Sequence, residues 1–208
     1  LFIPAENAAE AAAVANKINI YPVKSLQDVL THLSSTDTSC HIVPLSKITN
    51  ASPNQEPEVN FIDIRGQEHA KRALLIAAAS GHNVLMIGPP GTGKTILARA
   101  LSGILPPLSF EEALSVTSLY SIAGLLPKGQ GLVHKRPFRN PHHGASAVAL
   151  VGGGAHPKPG EVSLAHTDVL FLDELPEFSS HVLDLLRQPI EDGSISVSRA
   201  AHTISYPS

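Results

Sequence analysis

The octapeptide Gly88-Pro-Pro-Gly-Thr-Gly-Lys-Thr95 fits the pattern G-x-x-x-x-G-K-[ST] and constrains this 208-residue chain more than any other stretch. Gly88, Gly91 and Gly93 let the backbone turn its N–H groups inward around an anion, a path that bulkier residues would strain. Together with Pro89, Pro90 and Thr92 they make the cradle for a triphosphate. In that pattern Lys94 reaches the β and γ phosphates and the Thr95 hydroxyl holds Mg²⁺. The flanks agree. Asn83–Ile87 is a short apolar run that predicts a strand, and residues 96–102 have helical spacing with Gly103 as a stop signal. Strand, glycine loop and helix start in succession put an anion at the positive end of a helix dipole. A Gly/Pro-rich turn carrying a stray lysine would need neither flank.

A second signal follows about 80 residues later. Val169-Leu-Phe-Leu-Asp-Glu174 is an apolar run ending in two acids, the pattern of a buried parallel strand that delivers carboxylates to its C-terminal edge. Behind such a loop, Asp173 is expected in the Mg²⁺ shell and Glu174 as the group that polarises the attacking water. Binding without hydrolysis would not need Glu174, so the pair points to an ATPase.

The single cysteine, Cys40, excludes a disulfide framework and a cysteine zinc site, and it suits a reducing, cytoplasmic setting. The longest apolar stretches, near Ala73–Gly81 and Ala145–Ala155, are too short to cross a bilayer, so no membrane partner is expected. The chain opens on Leu1, with Glu6 and Glu10 where a signal peptide would be basic, and it reads as an internal segment of a longer protein. The net charge of −3 hides an asymmetry. Ala113 to Gly160 contains no Asp or Glu but carries Lys128, Lys135, Arg136, Arg139 and Lys158, with His134, His142, His143 and His156. Such a stretch suits a polyanion or an acidic neighbouring subunit; an irregular insertion with solvated charges reads equally well.

Three segments are expected. Residues 1–34 have the order β-α-β-α: a strand remnant at 1–3, a helix opened by Asn7 and Glu10, a strand at 18–23, and a helix opened by Ser25 and Asp28 with Leu26, Val29, Leu30 and Leu33 on one face. Residues 35–59 are rich in Ser, Thr, Asn and Pro and read as a linker, with a short strand near 41–43. Residues 60–208 form the nucleotide-binding domain. There the pattern predicts a helix over 69–80 closed by Gly81, a helix opened by Ser109 and Glu112, and an irregular insertion over 124–160. It also predicts an amphipathic helix over 179–188 and a hairpin of strands 194–198 and 202–206.

Asp63-Ile-Arg-Gly-Gln67, the phosphate loop, Phe138-Arg-Asn-Pro-His-His-Gly-Ala-Ser146, the run from Gly152 to His166 and Val169–Phe178 together resemble the magnesium-chelatase-like AAA+ ATPases, in particular the bacterial ComM/YifB type. The likeness is dense over 60–208. It implies a P-loop AAA+ three-layer α/β/α core with a parallel sheet, preceded over 1–34 by the α/β tail of a Lon-protease-like domain. No Ser–Lys pair is visible there, so no peptidase activity is expected. It further implies ATP and Mg²⁺ as cofactors, a homo-oligomeric and hexameric ring, and an ATPase acting on DNA in branch migration during natural transformation.

By the same likeness, Ile64 and Gln67 border the adenine, and Lys94 and Glu174 are catalytic. The insertion at 128–160 and the hairpin at 194–206 face the central pore, making Lys135, Arg136, Arg139 and Arg199 candidate DNA phosphate contacts. The sensor residue, arginine finger and helical lid of the family lie past Ser208, so the segment alone is expected to hydrolyse ATP poorly. The alternative is a protein-remodelling or chelatase-type ATPase that does not act on DNA. Two bland readings stand beside these: Ile64 as a core residue, and Phe138 as a buried anchor rather than a platform for a base. Adjacent His142 and His143, with no Cys or acid near them in sequence, are poor zinc ligands.

Overall fold

A computed structural model describes residues 1–15, 17–35, 41–45, 59–127, 131–153, 158–199 and 202–208. The chain divides into two units, Leu1–Pro53 with Leu125–Val133, and Asn54–Gly124 with His134–Ser208.

In the first unit β1 (Phe2–Pro4) and β2 (Tyr21–Val23) pair in parallel, Phe2 opposite Tyr21, joined through 3₁₀ turns and the short helix α1 (Ala8–Ala11). Asn7 stands at the start of α1 without making a side-chain cap, so the expected capping box does not form. The box before α2 (Leu26–Ser34) does: the Asp28 N–H donates to Ser25 Oγ, and Asp28 accepts from the N–H groups of Lys24 and Ser25. Those backbone donors hold the Asp28 carboxyl below its ordinary pKa. Ile20 and Ala12 are buried here, and the rings of Phe2, Tyr21 and His32 gather beside the ladder. The apolar face expected of α2 is not covered: Leu26, Leu30 and Leu33 are exposed. No strand forms at His41–Val43; the Leu45 N–H bonds the Ile20 carbonyl instead.

The second unit is mixed α/β. Helix α3 (Glu68–Ser80) ends on Gly81 in the left-handed conformation, as expected, and packs on α4 (Lys94–Ile104) through Ile64, Leu74, Leu97 and Ala100. Helix α4 runs through Gly103, which therefore does not stop it; the extended Leu105 and Pro106 do. Ser109 and Glu112 close a reciprocal capping box before α5 (Phe110–Ala123).

The insertion then gives β3 (Phe138–Arg139), α6 (Ala147–Val151), β4 (Gly152–Gly153), β5 (Lys158–Pro159) and α7 (Glu161–Leu164). At Gly152, with φ of 102°, a Cβ would sit 2.6 Å from the Lys158 carbonyl, so only glycine lets β4 and β5 approach. After β6 (Val169–Leu170) come α8 (Ser180–Asp184), α9 (Arg187–Asp192) and the antiparallel pair β7 (Ser194–Arg199) and β8 (His202–Pro207). The single amphipathic helix expected over 179–188 is thus two helices. Pro189 has no N–H for the Leu185 carbonyl and its ring would crowd that group, so the helix breaks and restarts with Pro189 in its first turn. Leu119, Leu150, Val162, Phe178, Val182, Leu186, Ile195 and Tyr206 form the main core, with Leu150 fully buried.

The expected central parallel sheet is represented, among the described residues, by one two-residue ladder, β3 beside β6. Residues 83–87 are not in a ladder. Met86 packs on the α3–α4 core while Leu85 and Ile87 on either side are 71% and 89% exposed. Val84 is exposed as well, so Met86 alone of this run is covered, and a strand needs a neighbour's hydrogen bonds to be one.

Candidate nucleotide site

The phosphate loop lies between residues 83–87 and α4. Gly91 and Gly93 have φ of 77° and 84°, and Gly93 caps the helix. The glycine positions are therefore required by backbone conformation, independently of any ligand. Thr92 Oγ1 donates to the Pro89 carbonyl at 2.9 Å. Lys94 curls back so that its ammonium donates to the Gly88 and Pro89 carbonyls, both at 2.9 Å. A mobile cation thus stands over the loop, held by weak acceptors that an anion would readily replace.

The second motif arrives through β6. Its parallel pairing with β3, Phe138 opposite Val169 and Arg139 opposite Leu170, continues as the Phe171 N–H bonds the Arg139 carbonyl at 2.8 Å. Asp173 and Glu174 follow at the C-terminal edge. Thr95 Oγ1 donates to Asp173 Oδ2 at 3.1 Å, joining residues 78 apart in sequence. A hydroxyl and a carboxylate side by side next to a lysine-bearing loop are hard oxygen ligands suited to Mg²⁺, and the donor set fits the ion. The other Asp173 oxygen accepts from the Glu174 N–H at 3.0 Å. Glu174 takes a left-handed backbone, φ 54°, uncommon for a residue with a side chain and able to aim the carboxylate away from the strand direction. Its Oε2 lies 3.2 Å from His143 Nδ1. Nothing in the sequence pattern singled out His143 for this place.

Gln67, also left-handed, reaches the Thr92 carbonyl at 3.5 Å, while Ile64 is buried in the α3–α4 core. Lys71 secures this approach by donating to the Ile64 carbonyl. Gln67 thus touches the loop, and Ile64 lies in the α3–α4 core.

Two arginines of the insertion have partners within the domain. Arg136, only 12% exposed in its side chain, donates through Nε to the Pro106 carbonyl at 2.6 Å and through a terminal nitrogen to the Thr167 carbonyl; Glu112 lies 4.0 Å away. Arg139 forms a two-pronged pair with Glu161 at 2.5 and 2.6 Å, which raises the Arg139 pKa further. Both guanidiniums are engaged inside the domain by these partners. Lys135 has protein interactions of its own, and the Arg199 backbone lies in β7 at the end of its ladder, with its side chain outside the described residues. Phe138 stacks on Phe171 with centroids 6.2 Å apart and lies under the Arg99 guanidinium, the placement of an anchor.

Sequence reasoning also passed over a polar cluster behind β6. Ser102 donates to Asp168, whose burial pushes its carboxyl up to about 6, while Asp168 Oδ1 and the nearby Thr167 and His166 side chains have buried atoms without a protein partner. Among the described residues no group of three His, Cys, Asp or Glu is placed to hold a metal ion, and no helix is long and apolar enough to cross a membrane.

Residues 60–208 match the family described as magnesium chelatase, subunit ChlI. The chain is 49% identical to the uncharacterized protein YifB of Salmonella typhimurium and 47% identical to the competence protein ComM of Haemophilus influenzae. Each match covers all of this chain and 40% of the relative, so the chain spans about 40% of the length of those curated relatives. A solved structure of the complex between the magnesium chelatase subunits BchI and BchD is similar in fold. Its TM-score is 0.57 at 29% identity, covering 73% of this chain and 52% of that one. Motifs, geometry and relatives agree, and the chain belongs to the magnesium chelatase ChlI family of AAA+ proteins as a homologue of YifB and ComM.

Proposed function

We propose that the protein carrying this chain is an ATP-hydrolysing AAA+ motor that acts on DNA as a homo-oligomeric ring, taken as a hexamer, in the cytoplasm. One observation carries the ATPase reading: the 3.1 Å bond between Thr95 and Asp173, which unites the two acid- and phosphate-handling motifs in one site. In this reading Gly88–Gly93 wrap the phosphates and Gln67 borders the base, with Ile64 behind it. Lys94 exchanges the loop carbonyls for β and γ phosphate oxygens, and Thr95 and Asp173 hold Mg²⁺. Mg²⁺ held there would supply positive charge to screen the phosphate oxygens. Glu174 orients the attacking water and accepts its proton. Residues 1–34 are read as the end of a Lon-protease-like domain.

The DNA reading is supported by the acid-free, cation-bearing stretch from Ala113 to Gly160 and by the likeness to a protein named for competence. Lys135, Arg136, Arg139 and Arg199 are the candidate phosphate contacts, and of these Lys135, Arg136 and Arg139 also have partners within the protein. ATPase activity of the full-length protein, measured with and without single-stranded or forked DNA, tests it. Stimulation that weakens as salt rises, and that is lost in a Lys135→Ala/Arg199→Ala variant, is expected. Absence of any DNA response contradicts the motor. The likeness to the BchI–BchD complex favours a second reading, a remodelling ATPase stimulated by a protein partner in place of DNA.

A further inference from the structure

We propose that Ser102 and Asp168 are positioning residues for Thr95 and Asp173, a second tie that fixes the lie of α4 against the β6 segment. The proposal rests on the reading of Thr95 and Asp173 as the Mg²⁺-handling pair given above. The two segments touch and are bonded at both ends. Thr95, in the first turn of α4, donates to Asp173 beyond the end of β6 at 3.1 Å. Ser102, in the last turn of α4, donates to Asp168 just before β6. Seven residues separate the two donors, about 700° of helical rotation and about 10 Å of rise, so they leave the same face nearly two turns apart. Ala98 lies between them on that face and is buried. Helix α4 thus runs antiparallel to the chain from Asp168 to Asp173, anchored at each end.

One bond fixes a point, whereas two bonds about 10 Å apart fix a direction. Held at Thr95 alone, α4 can pivot about that end or slip along β6, and either motion changes the distance from Thr95 to Asp173. Mg²⁺ is sensitive to such a change because it demands near-ideal octahedral geometry at about 2.0–2.1 Å. The far tie is built to hold. Its acceptor is a carboxylate, which makes the bond charge-assisted, and the pair is part-buried. Arg136 braces the chain on both sides of it. The guanidinium donates to the Pro106 carbonyl just past α4 and to the Thr167 carbonyl next to Asp168, with Glu112 4.0 Å away. Loss of the Ser102 hydroxyl therefore removes the tie and leaves this brace standing. The phosphate loop, by contrast, makes its own turns, through Gly91, Gly93 and the bond from Thr92 to the Pro89 carbonyl. Loosening the far end of α4 acts on the metal-handling pair and spares the cradle for the phosphates.

Binding of a fluorescent ATP analogue to the full-length protein, measured in EDTA and in excess Mg²⁺, tests this without turnover. The factor by which Mg²⁺ strengthens binding reports on the metal-handling pair. Ser102→Ala and Asp168→Ala are each expected to lower that factor about 3- to 10-fold, while affinity in EDTA changes by less than about 2-fold. Alanine is a better helix former than serine, so Ser102→Ala keeps α4 wound, and all variants are compared below their unfolding midpoints. Ser102→Thr, which keeps a hydroxyl at that place, retains most of the factor. The Ser102→Ala/Asp168→Ala double variant loses no more than either single variant, because one bond is removed in each. The proposal is overturned by an unchanged factor in Ser102→Ala or Asp168→Ala, by an equal loss of affinity in EDTA, or by a Ser102→Thr variant as impaired as Ser102→Ala. Thr95→Ala, measured alongside, should abolish the Mg²⁺ factor. A factor left intact there, or none in the parent, overturns the reading of Thr95 and Asp173 itself.

Discussion

Breaking the Arg139–Glu161 pair separates a structural role from a DNA-binding one. The pair joins β3 to α7 through two charge-assisted bonds of 2.5 and 2.6 Å, with side chains only 28% and 23% exposed. Hydrogen bonds to charged groups contribute about 1.5–3 kcal/mol each, and two in one pair are not additive. Removing one partner also leaves the other charge half-buried and unpaired, which strengthens the loss. Arg139→Ala and Glu161→Gln should therefore each destabilise the domain by about 2–3 kcal/mol. For a unit of this size that is a fall in midpoint of roughly 5–10 °C. Thermal unfolding of both variants and of the Arg139→Ala/Glu161→Gln double variant checks this, and the double variant should cost clearly less than the two single losses added. DNA affinity, compared at temperatures where all variants are folded, should change little. The reasoning is refuted if Arg139→Ala leaves the midpoint unchanged and weakens DNA binding with a shallower salt dependence, the signature of a lost phosphate contact.

Three further outcomes follow from the same geometry. Lys94→Ala should weaken ATP binding at least about 10-fold in a fluorescent-nucleotide titration, because the phosphate loop loses its cation while its glycine turns persist. Asp168 is protonated more readily folded than unfolded, its pKa raised from 3.8 to about 6, so the folded chain binds the extra proton between those values. Stability should fall as pH rises from about 4 to about 6, by up to about 3 kcal/mol, and Asp168→Asn should flatten that slope in denaturant titrations across the window. Ser109→Ala removes the cap of α5 and should lower stability by about 1 kcal/mol in the same assay.

What could be read in the sequence was local. The phosphate loop, the Ser109 and Ser25 boxes, the Gly81 stop and the β7–β8 pair all rest on residues within a few positions of one another, where chemistry and backbone conformation are set together. Gly103 misled because a glycine inside a helix costs only about 1 kcal/mol, less than continued packing of α4 returns. Pro189 was visible, yet its break depends on which carbonyl it faces. The partners of the arginines were hidden for a different reason. Charge composition marks Arg136 and Arg139 as cations but says nothing of Thr167 and Glu161, which the fold brings in from 31 and 22 positions away. Residues 83–87 have the apolar composition of a strand without a ladder, since pairing belongs to the partner as much as to the run. His143 was missed because its relation to Glu174 exists only through the β3–β6 register.

The central claim is that Gly88–Thr95 and Asp173–Glu174 are one ATP-hydrolysing site. Its most direct test is paired ATP binding and turnover for Glu174→Gln in the full-length protein with Mg²⁺ present. The account predicts binding within about 3-fold of the parent and turnover lowered at least about 100-fold, the pattern of an interaction made in the transition state and absent from binding. Turnover close to that of the parent would contradict it.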